Sequence, residues 1–339
     1  MISYLGQPLT SMPVELIDIW RKAAWATHLP DPFSSEPEWC ISYHQAISPD
    51  RPLFLFANRG NCCLLAEELL EDGTVLLTPL ESSWLYARPL LGTDPIALFL
   101  SSIEMIAQYY AEKSMSLPTF IFGGMWPHQP FANELLVSSG HIFQFFMHYS
   151  GRQCAASLEG GVDGFLSRRS SNFRLKLKKS RRLAKEAGVT FERVLMSTNN
   201  VGSIYKRMLN VETKSWKGAE KSGLLYPEST GFYFQLLTNL TYLGEARVIF
   251  AKHDDEDIGF IFGGNSNSIY RGQQFSFDSN WRKYSIGNIL QYETIVWLCE
   301  ENIGRYDMGA ITGPRMEYKE HWTELAFPIQ SWILRPIKK

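Results

Sequence analysis

The chain has 339 residues and 45% hydrophobic content, enough for two domains of ordinary size with a core each. Its 33 basic and 35 acidic residues leave a net charge of −2, which excludes whole-surface attraction to nucleic acid or membrane and makes any basic site local. Cys40, Cys62, Cys63, Cys154 and Cys299 are scattered without metal-ligand spacing and read as small buried hydrophobes in a reducing compartment.

The opening stretch MISYLGQPLTSMPVELIDIW lacks a basic segment, an apolar core and a small-residue cleavage site. There is no uninterrupted apolar run long enough for a membrane span, so a cytoplasmic protein is expected. RPLFLFANRG (51–60) predicts a strand, and NCCLLAEELLEDGTVLLTPL (61–80) two strands joined at Glu71-Asp72-Gly73. DPIALFLSSIEMIAQYYAEKS (94–114) has helical apolar spacing and a suitable start at Asp94-Pro95. LPTFIFGGM (117–125) and HIFQFFMHY (141–149) read as strands.

The small, polar stretch from Gly151 to Gly164 suggests a division into domains 1–160 and 161–339. Residues 165–188 predict a basic helix closed by Gly188. A strand (189–195), two helices (199–218 and 228–245) and three strands (246–253, 258–265 and 268–278) follow. The last three should form an antiparallel meander, with turns at DDED and at Asn265-Ser266-Asn267. Helix 286–302, strand 304–310, a short helix at 314–324 and strand 327–334 complete the order.

That order over 189–334 resembles the GNAT fold. Short motifs add to the likeness: the basic FRLKLKKSRRLAKEAG helix, Glu212-x-x-x-Trp216-Lys217-Gly218, Tyr284-Ser285-x-Gly287, Tyr306-Asp307-Met308-Gly309 and Tyr318-Lys319-x-x-Trp322. With Glu36-Pro37-x-Trp39 and TPLESSWLYARPLLGTDP in the first half, the chain is similar to two-domain BioF2-like or CelD-like acetyltransferases, relatives of the Fem-type peptidyltransferases. The resemblance implies an α/β (α+β) fold of tandem GNAT-like domains, each a mostly antiparallel sheet flanked by helices. It also implies an acyl-CoA site in the C-terminal domain and a degenerate N-terminal domain shaping the acceptor groove.

Arg282-Lys283-Tyr284-Ser285-Ile286-Gly287, continued by Asn288, resembles the GNAT pyrophosphate loop, with Ser285 replacing its first glycine. Unpaired N–H groups at a helix N-terminus attract phosphate, and Arg282 and Lys283 add charge. An ordinary turn capped by Ser285 is the plain alternative. The resemblance further implies that strands 268–278 and 304–309 splay apart to admit the donor's pantetheine arm. An N–H near Phe277 or Asp278 would then stabilise the tetrahedral oxyanion. It points to Tyr318 as general acid and to Lys319 as a charge-neutralising group, against packing and solvated alternatives. Glu212 and Asp278 are the candidate bases; either could simply cap or pair with a cation.

From Arg168 to Lys185 there are nine Lys or Arg and no acid. Phe173, Leu177, Ala184 and Ala187 form an apolar stripe, which leaves a solvated face or a site for phosphate or RNA. Trp84, Tyr86 and Trp126 could line a groove or pack in a core. His28, His44, His128, His141, His148, His253 and His321 have no metal pairing, so they are expected to be structural and no metal is expected. No covalent nucleophile context is present.

The expected activity is direct N-acylation of an amine by acetyl-CoA or a longer acyl-CoA, the acceptor being a small molecule, a peptide or a sugar. A Fem-type transfer from aminoacyl-tRNA is one alternative, lowered by the lack of a heptad arm. A non-catalytic GNAT-like binding protein is the other.

Overall fold

The computed structural model describes residues 2–8, 12–127 and 129–337, so His128 lies outside the described residues. The chain divides into two compact units, 1–152 with 327–339, and 153–326. The expected division at 160/161 assigned the last strand to the C-terminal domain; it clusters instead with the first unit.

The first unit holds β1 (Ile2–Gln7), α1 (Val14–Ala26), α2 (Pro37–Ile47), β2 (Leu53–Ala57), β3 (Cys62–Leu69), β4 (Val75–Thr78) and β5 (Leu90–Leu91). They are followed by α3 (Pro95–Glu112), β6 (Thr119–Met125), α4 (Pro130–Ser139) and most of β7 (Phe143–Ser157). The second holds α5 (Gly161–Ser167), α6 (Ser171–Glu186), β8 (Thr190–Arg193), α7 (Val201–Thr213), α8 (Trp216–Ala219), α9 (Pro227–Tyr242), β9 (Ala246–His253), β10 (Glu256–Ser266) and β11 (Ile269–Phe277). A 3-10 helix (Ser279–Tyr284), α10 (Ile286–Glu300), β12 (Arg305–Ile311) and a second 3-10 helix (Pro314–His321) complete it. The closing β13 (Leu325–Pro336) returns to the first unit.

In the first unit β1, β2, β3 and β4 are antiparallel neighbours. β4 then pairs parallel with β6, and β6 antiparallel with β13. Helix α3 lays Leu98, Phe99, Ile103, Ile106 and Tyr110 on Phe54, Phe56, Leu65, Phe120 and Phe122. Its helical spacing meets the alternating inward residues of the strands. Trp84 stacks on Tyr86 and meets Trp39 and Tyr43, while Trp126 meets Phe327 edge-on.

In the second unit β9, β10 and β11 form the expected antiparallel meander, and β8 pairs antiparallel with β9. β11 then pairs parallel with β12. The predicted basic helix is two helices: the chain breaks after Ser167, and Ser170 restarts it by accepting the Phe173 amide at 3.2 Å. Gly188, at φ +78°, closes α6 as expected, with the Val189 amide donating to Ala184 O at 2.9 Å. Leu177 and Ala184 of the predicted stripe are buried, and Phe173 meets Trp322 edge-on. β7 runs to Ser157, across the stretch read as a linker.

The segment after β4 hangs on Glu81, which is fully buried. Its carboxylate accepts the amides of Trp84 at 2.5 Å, Leu85 at 3.2 Å and Tyr86 at 3.0 Å. Replacing Glu81 by Ala orphans three amides and should destabilise the protein by about 3 kcal/mol in urea unfolding, whereas Glu81→Gln, which keeps an acceptor, should lose less.

Candidate active site between parted strands

β11 and β12 stay in register for three residue pairs only, Ile269↔Arg305, Tyr270↔Tyr306 and Arg271↔Asp307. Beyond that point β11 continues to Phe277 and β12 to Ile311 with no further pairing to each other among the described residues, the divergence expected for a donor slot. Asp307 stands at the fork, fully buried. It accepts from Gln153 Nε2 at 2.8 Å and from the Gly309 amide at 2.8 Å. Arg271 and Arg305 lie 3.6 and 3.4 Å from its oxygens. The Arg271 guanidinium crosses Gly309, whose φ is +80°; a Cβ there would sit 2.2 Å from Nη1. Glycine is therefore needed at the last residue of Tyr306-Asp307-Met308-Gly309.

The fork opens a cavity of about 240 Å³. Gly272–Phe277 of β11 form one wall, with Tyr306, Met308, Trp216, Lys217, Tyr318 and Lys319 around it. Lys217 Nζ donates to Gln274 Oε1 at 2.7 Å and to Phe275 O at 2.9 Å, and Lys319 Nζ to Ala310 O at 2.7 Å. One ammonium therefore holds each free strand edge. Burial pulls Lys319 down to about 8, with Arg271 adding to the effect and Asp307 opposing it. Burial also lowers Lys217, against the pull of Glu212, and raises the Tyr318 phenol.

The amide of Asp278, an expected oxyanion donor, is committed to Ile258 O at 2.8 Å. Antiparallel bonding alternates, so the N–H of Phe277, the preceding residue, faces away from β10 towards the open fork. The Asp278 carboxylate caps the first 3-10 helix, accepting the Asn280 amide at 2.9 Å. Glu212, fully buried at the end of α7, accepts the Leu224 amide at 2.9 Å through Oε1, while Oε2 has no hydrogen-bond partner among the described residues. Tyr318, Lys319 and Phe277 thus meet in the cavity wall, and Glu212 and Asp278 stand outside it. Lys217 joins them there, although it entered the sequence reading only as part of Trp216-Lys217-Gly218.

Arg282, Lys283 and Tyr284 lie on the first 3-10 helix, which ends at Ser285 with φ 56° and ψ 42°. The serine adopts a left-handed conformation that favours glycine and makes no side-chain cap. Its carbonyl accepts from Asn288 and Ile289, so the Ile286 and Gly287 amides precede the first intrahelical acceptor. Ile286 packs in the core. A Cβ on Gly287 would come 2.9 Å from the Phe275 ring. A second cavity, of about 580 Å³, lies at this helix end. Lys176, Lys179, Lys283, Ser285, Asn288 and His321 line it, and Tyr318 is shared with the first cavity. Arg282 is exposed outside its wall.

The family model for the acetyltransferase (GNAT) domain matches residues 171–320. That stretch, 150 of the chain's 339 residues, is similar to a GNAT domain. No curated protein matches the chain in a sequence search. A conserved protein of unknown function from Bacteroides thetaiotaomicron VPI-5482 is similar in structure, with TM-score 0.65 and 10% identity over 97% of this chain and 100% of that one. FemX gives TM-score 0.65 and 10% identity over 93% and 95%. L-PGS from Bacillus licheniformis gives TM-score 0.54 and 13% identity over 90% and 93%. At such identities the likeness is one of fold. Among the described residues no cluster of metal ligands occurs, and no helix is long and apolar enough to cross a membrane.

Two substitutions probe the GNAT-like domain's architecture. Ser285→Gly relieves left-handed strain and should raise stability by about 1 kcal/mol in chemical denaturation. Asp307→Ala leaves Arg271 buried without its carboxylate and should cost about 3–5 kcal/mol by the same measurement.

Proposed function

We propose that the GNAT-like domain transfers an acyl group from acyl-CoA, either acetyl-CoA or a longer homologue, to the amine of a small molecule, peptide or sugar. The observation that carries this reading is the fork: an unpaired β11 edge facing a cavity that shares Tyr318 with a cationic pocket at the α10 N-terminus. The pantetheine arm would pair with that edge. The pyrophosphate would meet the Ile286 and Gly287 amides, with Lys176, Lys179 and Lys283 near.

In the transfer the amine lone pair forms the C–N bond, the tetrahedral intermediate collapses, and the C–S bond breaks. The Phe277 N–H is the oxyanion donor of this reading. Glu212 takes the amine proton through water, since it stands outside the cavity wall. The departing thiolate takes a proton from Lys319, whose lowered pKa lies closer to that of a thiol than the raised one of Tyr318 does. Tyr318 then orients the donor.

Lys319 is charged below about 8 and neutral above it, so as an acid it loses effect as pH rises through that value. Thiol release from acetyl-CoA with an amine panel should show an alkaline limb near there. Lys319→Met should lower kcat roughly a hundredfold and erase that limb, with CoA binding kept in calorimetry. Absence of acyl-CoA binding would refute the reading, and binding without turnover on any amine would favour a non-catalytic protein. Transfer from aminoacyl-tRNA is the second reading, supported by the groove of about 760 Å³ beside α6, with Lys178, Lys179, Arg181, Arg182 and Lys185 along it. Tight, salt-sensitive tRNA binding would select it.

A further inference from the structure

The first unit repeats the arrangement that frames the α10 site. Antiparallel β2, β3 and β4 precede α3, and β6 follows it parallel to β4, as β9, β10 and β11 precede α10 and β12 follows parallel to β11. The parallel register of β4 and β6 is again brief, Leu76↔Thr119 and Leu77↔Phe120. Here, however, the chain itself lies along β6, with the Gly124 amide donating to Leu85 O at 2.9 Å.

The start of α3 opens instead on a cavity of about 310 Å³. α4 begins at the same cavity, so Pro95-Ile96 and Pro130-Phe131, the first residues of two helices, both line it. Among the described residues no side chain caps either helix. Their prolines carry no N–H, and the amides of Ile96 and Phe131 are the first donors each helix offers. Arg88 also lines the cavity and is only 4% exposed. Its backbone amide is fixed by Ser35 Oγ at 3.0 Å, and its guanidinium lies 3.4 Å over the Phe131 ring. Among the described residues that guanidinium has no carboxylate or hydrogen-bond acceptor, and Nε is buried without a partner. Burial with no opposing charge pulls its pKa down to about 9.

A buried cation without a counter-charge is costly for the fold alone. Here it lines one cavity with the positive ends of two helix dipoles, which add to the cost until an anion arrives. We infer that the first unit contains a binding site for a small oxyanion, a carboxylate or a phosphate, held by Arg88 and the amides that open α3 and α4. Exposed Asp94 and Glu134 stand among the lining residues and disfavour polyanions, so the ligand carries a single anionic group. The site makes no use of the donor cavity of the GNAT-like domain, and the inference stands whether or not acyl-CoA is the donor.

The full chain should be titrated with sodium acetate and with sodium phosphate against sodium chloride at matched ionic strength, following melting temperature and heats of binding. At least one oxyanion should raise the melting temperature with saturation, and the one that does identifies the ligand's group. Arg88→Met removes the buried charge, so in chloride it should melt no lower than the wild type. Its oxyanion affinity should fall roughly tenfold to a hundredfold, the worth of a charge-assisted hydrogen bond. Arg88→Lys, which keeps a cation, should retain part of the affinity. Three results would overturn the site: no oxyanion response in the wild type, a response that survives in Arg88→Met and so belongs to the α10 end, or an Arg88→Met that melts lower with its response intact. The last would make Arg88 a packing group for Phe131.

Discussion

The second unit depends on one buried carboxylate. Parallel strands that pair along their whole length leave no edge for a cosubstrate; strands that part need something to fix the point of parting. Asp307 does this by drawing Arg271, Arg305, Gln153 and the Gly309 amide to the end of the three-residue register. One carboxylate there serves two guanidinium groups and two neutral donors, and those contacts offset part of the desolvation that burial imposes. Everything that gives the cavity its character follows downstream of this fork.

The two lysines then give the fork its electrostatic sign. Lys217 and Lys319 hold carbonyls on opposite edges, and each is uncomfortable as a cation, because burial outweighs the nearby carboxylates. A cation destabilised in this way parts with a proton readily, or gains when negative charge develops beside it. Both properties suit acyl transfer, in which an oxyanion and then a thiolate appear in turn. Glu212 sits behind Lys217 rather than in the cavity and moderates the shift instead of cancelling it.

Much of this order was legible. The β9–β10–β11 meander is punctuated by DDED and Asn267, so its strands can be read from local sequence, and α10 is legible as a long, mostly apolar run between turns. Gly188 announces the end of α6 for the same reason. The break between α5 and α6 was not legible, because the apolar stripe begins only at Phe173, after the break, and the capping Ser170 is set within a run of cations. β7 was cut short because Gly151 to Ser157 is small and polar, the composition of a linker; its pairing overrides its composition. Tyr318 and Lys319 could be placed from motif and order, but Lys217 could not, since nothing in Trp216-Lys217-Gly218 says which way its ammonium turns. The left-handed Ser285 hid because only a glycine would have signalled that backbone.

The return of β13 to the first unit has a consequence for how the molecule is made. β6 finds its neighbour in residues 330–334, which leave the ribosome only after the whole second unit. Until then the nascent N-terminal unit displays an open strand edge, and the unit synthesised first is completed last. A fragment stopping at Arg152 would carry that edge permanently, so a shortened N-terminal product is a poor vehicle for work on its cavity, and loss of the final dozen residues would be felt at the opposite end of the sequence.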